Sequence, residues 1–326
     1  QRSGSFTRQR LIAMLGFILR RVASTVPVLL VVALIVFLMT RLAPGDPAAA
    51  IVGSGGTAQD IARVRATLGL DDALPLQFAR WLGRAVQGDL GESLFMKMTV
   101  AQLIGQRIEP TLALAATTLV LTVLVAVPLG ALAAWRHGGW LDRALMRASS
   151  LGFSIPSFVI GYVLIWLFAL KLHWFPVQGY TRLAAGVGPW LHHLVLPSLA
   201  LAVIYVSLIA RVTRAAVAEA LAEDHVRTAR AKGIGEVQVL WRHALANAAV
   251  PVVTVIGIGI ALLIGGVVVT ETVFAIPGLG QLTVDAVLAR DFPLIQGITL
   301  FFSGVYVAVN LLIDLSYPLL DPRVRL

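Results

Sequence analysis

The chain has 326 residues, 58% of them hydrophobic and only 13% charged, against roughly 25% charge in an average soluble domain. With a mean hydropathy of +0.86 it carries more apolar surface than a water-soluble fold can hide, and its net charge of +9 is spread among loops with no aromatic-interleaved basic patch, which excludes a nucleic-acid reading. The absence of cysteine removes disulfides, thiolate metal sites and a cysteine nucleophile.

Residues 1–21 open with a polar stretch and then an apolar one, Leu11 to Leu19, too short to cross about 30 Å of hydrocarbon and read as an interfacial helix. Met14 is a candidate natural start, so residues 1–13 carry no weight in the fold reasoning. The first full-length run, residues 22–40, continues into Arg41 without a small-residue cleavage pattern, which marks an anchor rather than a secretory leader.

Residues 41–110 resemble a small helical insertion. Thr57 and Asp60 have capping-box spacing and open a helix with Ile61, Val64 and Leu68 on one face, ended by Gly69. Pro75 starts a second helix bearing Phe78, Trp81 and Leu82 that stops at Gly88, and Thr99 with Gln102 caps a third. Two readings stay open, a lid of amphipathic helices over the pore mouth or a docking platform with Phe78 and Trp81 as its contacts.

Residues 111–317 hold five further apolar runs, at Thr111–Ala134, Ser149–Leu170, Leu194–Ala210, Val250–Thr270 and Leu294–Tyr317, giving an all-α integral membrane fold of six crossings. Basic residues are concentrated before the first run, at Arg136, Arg143 and Arg147, between Arg211 and Arg242, and at Arg323 and Arg325. The opposite short loops offer only Lys171, Arg182 and Arg290, so the positive-inside rule places both termini, including residues 318–326, in the cytoplasm.

The cytoplasmic segment at about 211–249 is the most informative. Glu223 stands four residues before Arg227, a favourable helical pair, and Lys232 lies in the last turn before Gly233, where glycine can take a left-handed cap. Glu236 opens the next helix, so the segment reads as helix, tight turn, helix, with Ala229, Ala231 and Gly233 giving a surface small enough for another protein to approach. An ordinary basic loop explains much of this pattern too.

Other residues invite chemical readings that the pattern does not favour. His192 and His193 lie beside Trp190 with no carboxylate at ligand spacing, and His225 and His243 sit in the basic segment, where contact or solvation accounts for them. Asp314, one turn after Asn310, falls within the last run near its cytoplasmic end, where snorkelling or pairing with a loop arginine suffices. Gly257, Ala261 and Gly265 repeat every four residues, which suits close helix packing and also fits the general glycine enrichment of membrane helices. An ion-coupled secondary transporter would show midplane ionisable residues and inverted repeats, and an intramembrane hydrolase a deep nucleophile and base; neither pattern stands out.

The run from Glu223 to Pro251, with Arg-Thr-Ala-Arg-Ala-Lys-Gly at Arg227 to Gly233, resembles the cytoplasmic signature of ABC importer permeases of the dipeptide, oligopeptide and nickel group. Arg227 and Thr228 stand where the wider family has Glu and Ala, a departure that matches the peptide-type branch. The likeness extends to Arg-Leu-Ala-Pro-Gly-Asp-Pro at Arg41 to Pro47, Gly-Asp-Leu-Gly at Gly88 to Gly91, Glu-Thr-Val-Phe-Ala-Ile-Pro-Gly-Leu-Gly at Glu271 to Gly280 and Asp-Pro-Arg-Val-Arg at Asp321 to Arg325. The first of these, followed by a long extracytoplasmic loop, is similar to the first, B-type permease of such systems. The resemblance implies a type I importer in the inner membrane. Its other parts would be a homologous second, C-type permease, two ATPases that bind ATP and Mg, and an extracytoplasmic solute-binding protein. Arg227, Thr228, Ala229, Arg230, Ala231, Lys232 and Gly233 would then form the coupling helix against an ATPase. The chain has no Gly-rich phosphate loop of its own, so it is expected to hold no cofactor and to catalyse nothing.

Overall fold

The computed structural model describes residues 2–42, 47–52, 57–67 and 69–320. Asp46 and the Asp-Pro-Arg-Val-Arg run at 321–325 lie outside these described residues, as does Leu68. The described chain is helical, and its β pairing is an isolated antiparallel bridge between Glu92 and Thr99. Among the described residues five helices are long and apolar enough to span a membrane: Arg2–Leu42 through its segment Arg20–Met39, Val100–Trp135, Val187–Ala222, Ala249–Val273, and Phe292–Leu320 through Phe292–Ser316. A sixth crossing is available only as the pair Trp140–Ser154 and Ser157–Lys171, bent by 100°.

That bend revises the straight run expected at Ser149–Leu170. Pro156 has no N–H to donate and crowds the residue before it, and Ile155 is accordingly extended at φ −101, ψ 121. Two further boundaries differ. The stretch Leu11–Leu19 and the first run are one continuous helix, Arg2–Leu42, because nothing in Arg20 and Arg21 breaks an α-helix. The capped helix expected after Thr99 runs without interruption into the second crossing as Val100–Trp135, with Pro110 and Pro128 inside it.

The chain divides into two compact units, one of residues 1–19, 107–281 and 308–326, the other of residues 20–106 and 282–307. In the first unit the helix Val187–Ala222 is central: 61% of its most apolar window is buried. Around it Leu114, Leu194, Leu201, Tyr205, Leu263, Val267 and Ile276 form a core. Close approach depends on absent side chains, since a Cβ on Gly130 would strike the Ala210 carbonyl and one on Gly266 would strike Leu201 and the Tyr205 hydroxyl. Outward-facing Val120, Leu124, Tyr162, Trp166 and Leu262 remain exposed, as lipid-facing positions should.

In the second unit, the insertion folds as its caps dictate. Thr57 and Asp60 bond reciprocally, Thr57 N to Asp60 Oδ2 at 3.2 Å and Asp60 N to Thr57 Oγ1 at 3.3 Å, and open the helix Ala58–Thr67. The next helix, Leu74–Val86, has Pro75 in its first turn, and Thr99 with Gln102 forms a second reciprocal box. Phe78 and Trp81 pack against Phe37 of the first helix, with ring centroids 5.4 and 5.8 Å away. The Gly88 to Gly91 loop turns with both glycines at positive φ, and Asp89 accepts the Gly91 N–H at 3.0 Å. Buried Asp291 accepts from the Ser93 hydroxyl and from Leu294 N at 3.3 Å, so one carboxylate ties this loop to the start of the last helix.

Candidate coupling site and pore-half framework

The segment after the helix Val187–Ala222 is a helix of eight residues, Asp224–Ala231, then a turn, then a helical stretch from Glu236. Its end is a Schellman motif. Ile234 N donates to Ala229 O at 3.2 Å, Gly233 N to Arg230 O at 2.9 Å, and Gly233 takes φ +79. The apolar side of the motif packs too, with Ile234 and Leu221 against buried Val226, Ala229 and Val239. Arg230 closes the turn from outside: its Nε and Nη2 donate to the two Glu236 carboxylate oxygens at 2.9 and 3.1 Å. The guanidinium holds the Glu236 carboxyl below the usual carboxylate range.

Two sequence expectations about this segment change. Glu223 is the residue before the helix, extended at φ −74, ψ 154, so it does not pair with Arg227; Arg227 meets Asp224 at 3.4 Å and Glu223 meets the His225 ring at 2.9 Å. Ala229 is buried, because it lies three residues from Val226 on the inner face. The outer surface is therefore Arg227, Thr228, Arg230, Ala231, Lys232 and Gly233, all exposed. Beside it, Ala222, Asp224, His225 and Asn247 border an open hollow of about 660 Å³.

The Glu271 to Gly280 run forms a second site whose centre the sequence reading missed. Glu271 is fully buried at the end of the helix Ala249–Val273. Its Oε1 accepts from the Thr111 hydroxyl at 2.6 Å and its Oε2 from Gln281 N at 3.0 Å, while Thr111 Oγ1 accepts from Leu279 N at 2.7 Å. The carboxylate thus caps the N-terminus of the helix Leu279–Ala289. Gly278 and Gly280 are where they are because a Cβ on either would overlap the Glu271 carboxyl. One acidic residue followed by two glycines at this spacing is the signal that could have revealed it.

A third tie joins helices near the basic loops. Arg214 Nε and Nη2 donate to the two Asp142 oxygens, each at 2.8 Å, and Gly138 N donates to Asp142 Oδ2 at 2.9 Å. Such bidentate geometry fixes orientation as well as distance.

The remaining singled-out residues separate. In the Gly257, Ala261, Gly265 stripe a Cβ on Gly257 would overlap Ile313, whereas one on Gly265 would meet nothing within 4 Å among the described residues. His192 Nε2 lies 2.8 Å from the Trp174 carbonyl, and His193 Nδ1 lies 2.9 Å from Pro189 O and 3.2 Å from Thr181 Oγ1, so each ring has a structural partner. Asp314 is half-buried in the last helix.

Residues 126–326 match the family described as "Binding-protein-dependent transport system inner membrane component", and residues 14–115 match its N-terminal companion. A probable peptide ABC transporter permease protein of Sinorhizobium fredii is 52% identical over 309 residues, covering 95% of this chain and 99% of the relative. The glutathione transport system permease protein GsiC of Salmonella paratyphi A is 42% identical over 313 residues, 96% and 99% of the two chains. Among solved structures, a chain of the inward-facing MetNI methionine ABC transporter superposes with a TM-score of 0.54 at 18% identity, covering 68% of this chain and 97% of that one, a likeness of fold. The chain belongs to the binding-protein-dependent transport system inner membrane components, as a multi-pass ABC importer permease.

Proposed function

We propose that this chain is the first, B-type permease of an importer for peptides or related solutes. It forms half of the translocation pathway beside a homologous C-type permease. Two ATPase subunits, which bind the ATP and Mg, drive it, and an extracytoplasmic solute-binding protein feeds it. The observation that carries this reading is the Schellman-capped turn at Gly233, which presents exposed Arg227, Thr228, Arg230, Ala231 and Lys232 on a rigid mount. A stiff element of this kind can pass movement of an ATPase pair to the spanning helices as rigid-body rocking. The names of the peptide and glutathione relatives support the substrate class.

In this reading both termini and the segment 211–249 are cytoplasmic, and the helical insertion 41–110 meets the binding protein. Phe78 and Trp81 are candidates for that contact. Their packing on Phe37 means that truncating them would also loosen the insertion, so exposed Leu76 and Val86 on the same helix are cleaner probes. Replacing both by Asp should weaken stimulation by loaded binding protein while the membrane complex still assembles; unchanged stimulation favours a lid.

Affinity purification of the tagged chain from membranes, followed by subunit stoichiometry, tests the whole assignment. Recovery of one further permease and two ATPases is expected. Autonomous, ion-driven uptake by the purified single chain would contradict it.

A further inference from the structure

A cavity of about 470 Å³ lies in the unit of residues 20–106 and 282–307, bordered by three cations, Arg41, Arg84 and Lys97, by Asp89 and Glu92, and by Trp81. Arg41 closes the first helix, two residues past the apolar stretch Arg20–Met39. Its guanidinium stacks over Phe37, with 5.3 Å between them, and its buried Nε has no hydrogen-bond partner among the described residues. Nor does Arg41 or Arg84 make an ion pair with a carboxylate among those residues. Burial and the neighbouring Arg84 charge together lower the Arg41 pKa, the response of a cation lacking a counter-charge. Arg41, half-buried with an unmet donor, carries a desolvation cost that an anion shared with the exposed Arg84 would offset.

We propose that this cavity holds the headgroup of an ammonium-bearing phospholipid, its phosphate oxygens between Arg41 and Arg84 and its amine toward Asp89 and Glu92. The position of Arg41 sets the depth, because a side chain just beyond the apolar stretch lies where headgroups lie. Trp81 suits the same layer, being apolar in body and polar at one edge. Guanidinium forks match phosphate oxygens in geometry as well as charge, and the two carboxylates on the same cavity distinguish a zwitterionic headgroup from a purely anionic one. The site is independent of the coupling segment and of the solute transported.

The test is native mass spectrometry of the detergent-purified complex with added dioleoyl phosphatidylethanolamine or dioleoyl phosphatidylglycerol. The parent is expected to retain one phosphatidylethanolamine in preference to phosphatidylglycerol. The double variant Arg41→Gln with Arg84→Gln should lose about tenfold in affinity for the lipid, equivalent to about 1.4 kcal/mol, and Arg41→Lys should lose less. An unchanged adduct in the double variant overturns the site. Displacement of the adduct from the parent by equimolar inorganic phosphate or free dialanine assigns the cavity to a soluble oxyanion and overturns the lipid. Should the double variant fail to assemble, the parent decides alone: phosphatidylethanolamine with a photoreactive headgroup should label residues between 81 and 97, and labelling confined elsewhere contradicts the proposal.

Discussion

The Arg230 guanidinium grips the Glu236 carboxylate through two hydrogen bonds, 2.9 and 3.1 Å, across the turn that Gly233 reverses. The pair lies on an exposed surface, so it adds little to global stability and acts by holding two helices in one relative orientation. Arg230→Gln or Glu236→Gln should leave assembly intact and reduce stimulated ATP hydrolysis, with the double variant no worse than either single one, the signature of a coupled pair. Additive losses would show that the two residues act separately.

Acidification gives an independent check on the same pair. Folding lowers the Glu236 pKa, so its stabilising contribution is complete above the unfolded value, roughly 4.3, and is lost as pH falls through the depressed folded value. The small difference in thermal midpoint between parent and Glu236→Gln should therefore persist from pH 7 to about 5 and shrink below that. A difference independent of pH down to about 3 would contradict the assigned partner.

Buried Glu271 should behave differently, because it accepts at short range from the Thr111 hydroxyl and the Gln281 N–H away from water. Glu271→Ala removes the acceptor of the Gln281 N–H and leaves the Thr111 hydroxyl only its long 3.4 Å bond to Arg107 O, and each buried group left unsatisfied costs about 1–3 kcal/mol. Glu271→Gln keeps one acceptor but turns a second position into a donor facing a donor, so it should fall between parent and Ala. Thermal unfolding of the purified complex in detergent measures the order. Equal midpoints for parent and Glu271→Ala would rule out the capping role.

Much of this was legible in the sequence where local chemistry governs. The boxes at Thr57 and Asp60 and at Thr99 and Gln102, and the left-handed glycines at 69, 88 and 233, follow from residue type and spacing alone. The same caps occur after Val273 and Ala289 with non-glycine residues, Ala275 at φ +47 and Arg290 at φ +56, and there no composition cue exists. Glu271, Asp142 and Asp291 were harder to read because their side-chain partners Thr111, Arg214 and Ser93 are 160, 72 and 198 positions away in sequence, and only tertiary packing brings those pairs together. The inward turn of Ala229 follows from its three-residue spacing to buried Val226, which the small-residue pattern by itself does not show.

Topology can be tested on a chain that has no cysteine of its own. Single substitutions Gly233→Cys and Arg242→Cys should resist an impermeant thiol reagent in intact cells, while Asp71→Cys and Gln178→Cys react with it. These positions are exposed or lie in connecting segments. Labelling of Gly233→Cys from outside would reverse the orientation drawn from loop charge.

The most direct test of the coupling assignment is the stimulated ATPase rate of reconstituted complexes carrying Gly233→Val, compared with Gly233→Ala and the parent. Nothing lies within 4 Å of a Cβ at Gly233, so crowding inside the chain is not at issue; the strain comes from φ +79, which costs an L-residue about 1–2 kcal/mol and a β-branched one most. Gly233→Val should either release the ATPases from the membrane or leave them bound and unresponsive to loaded binding protein, with Gly233→Ala milder. A Gly233→Val complex that assembles, responds and transports like the parent would show that this turn is not the coupling element.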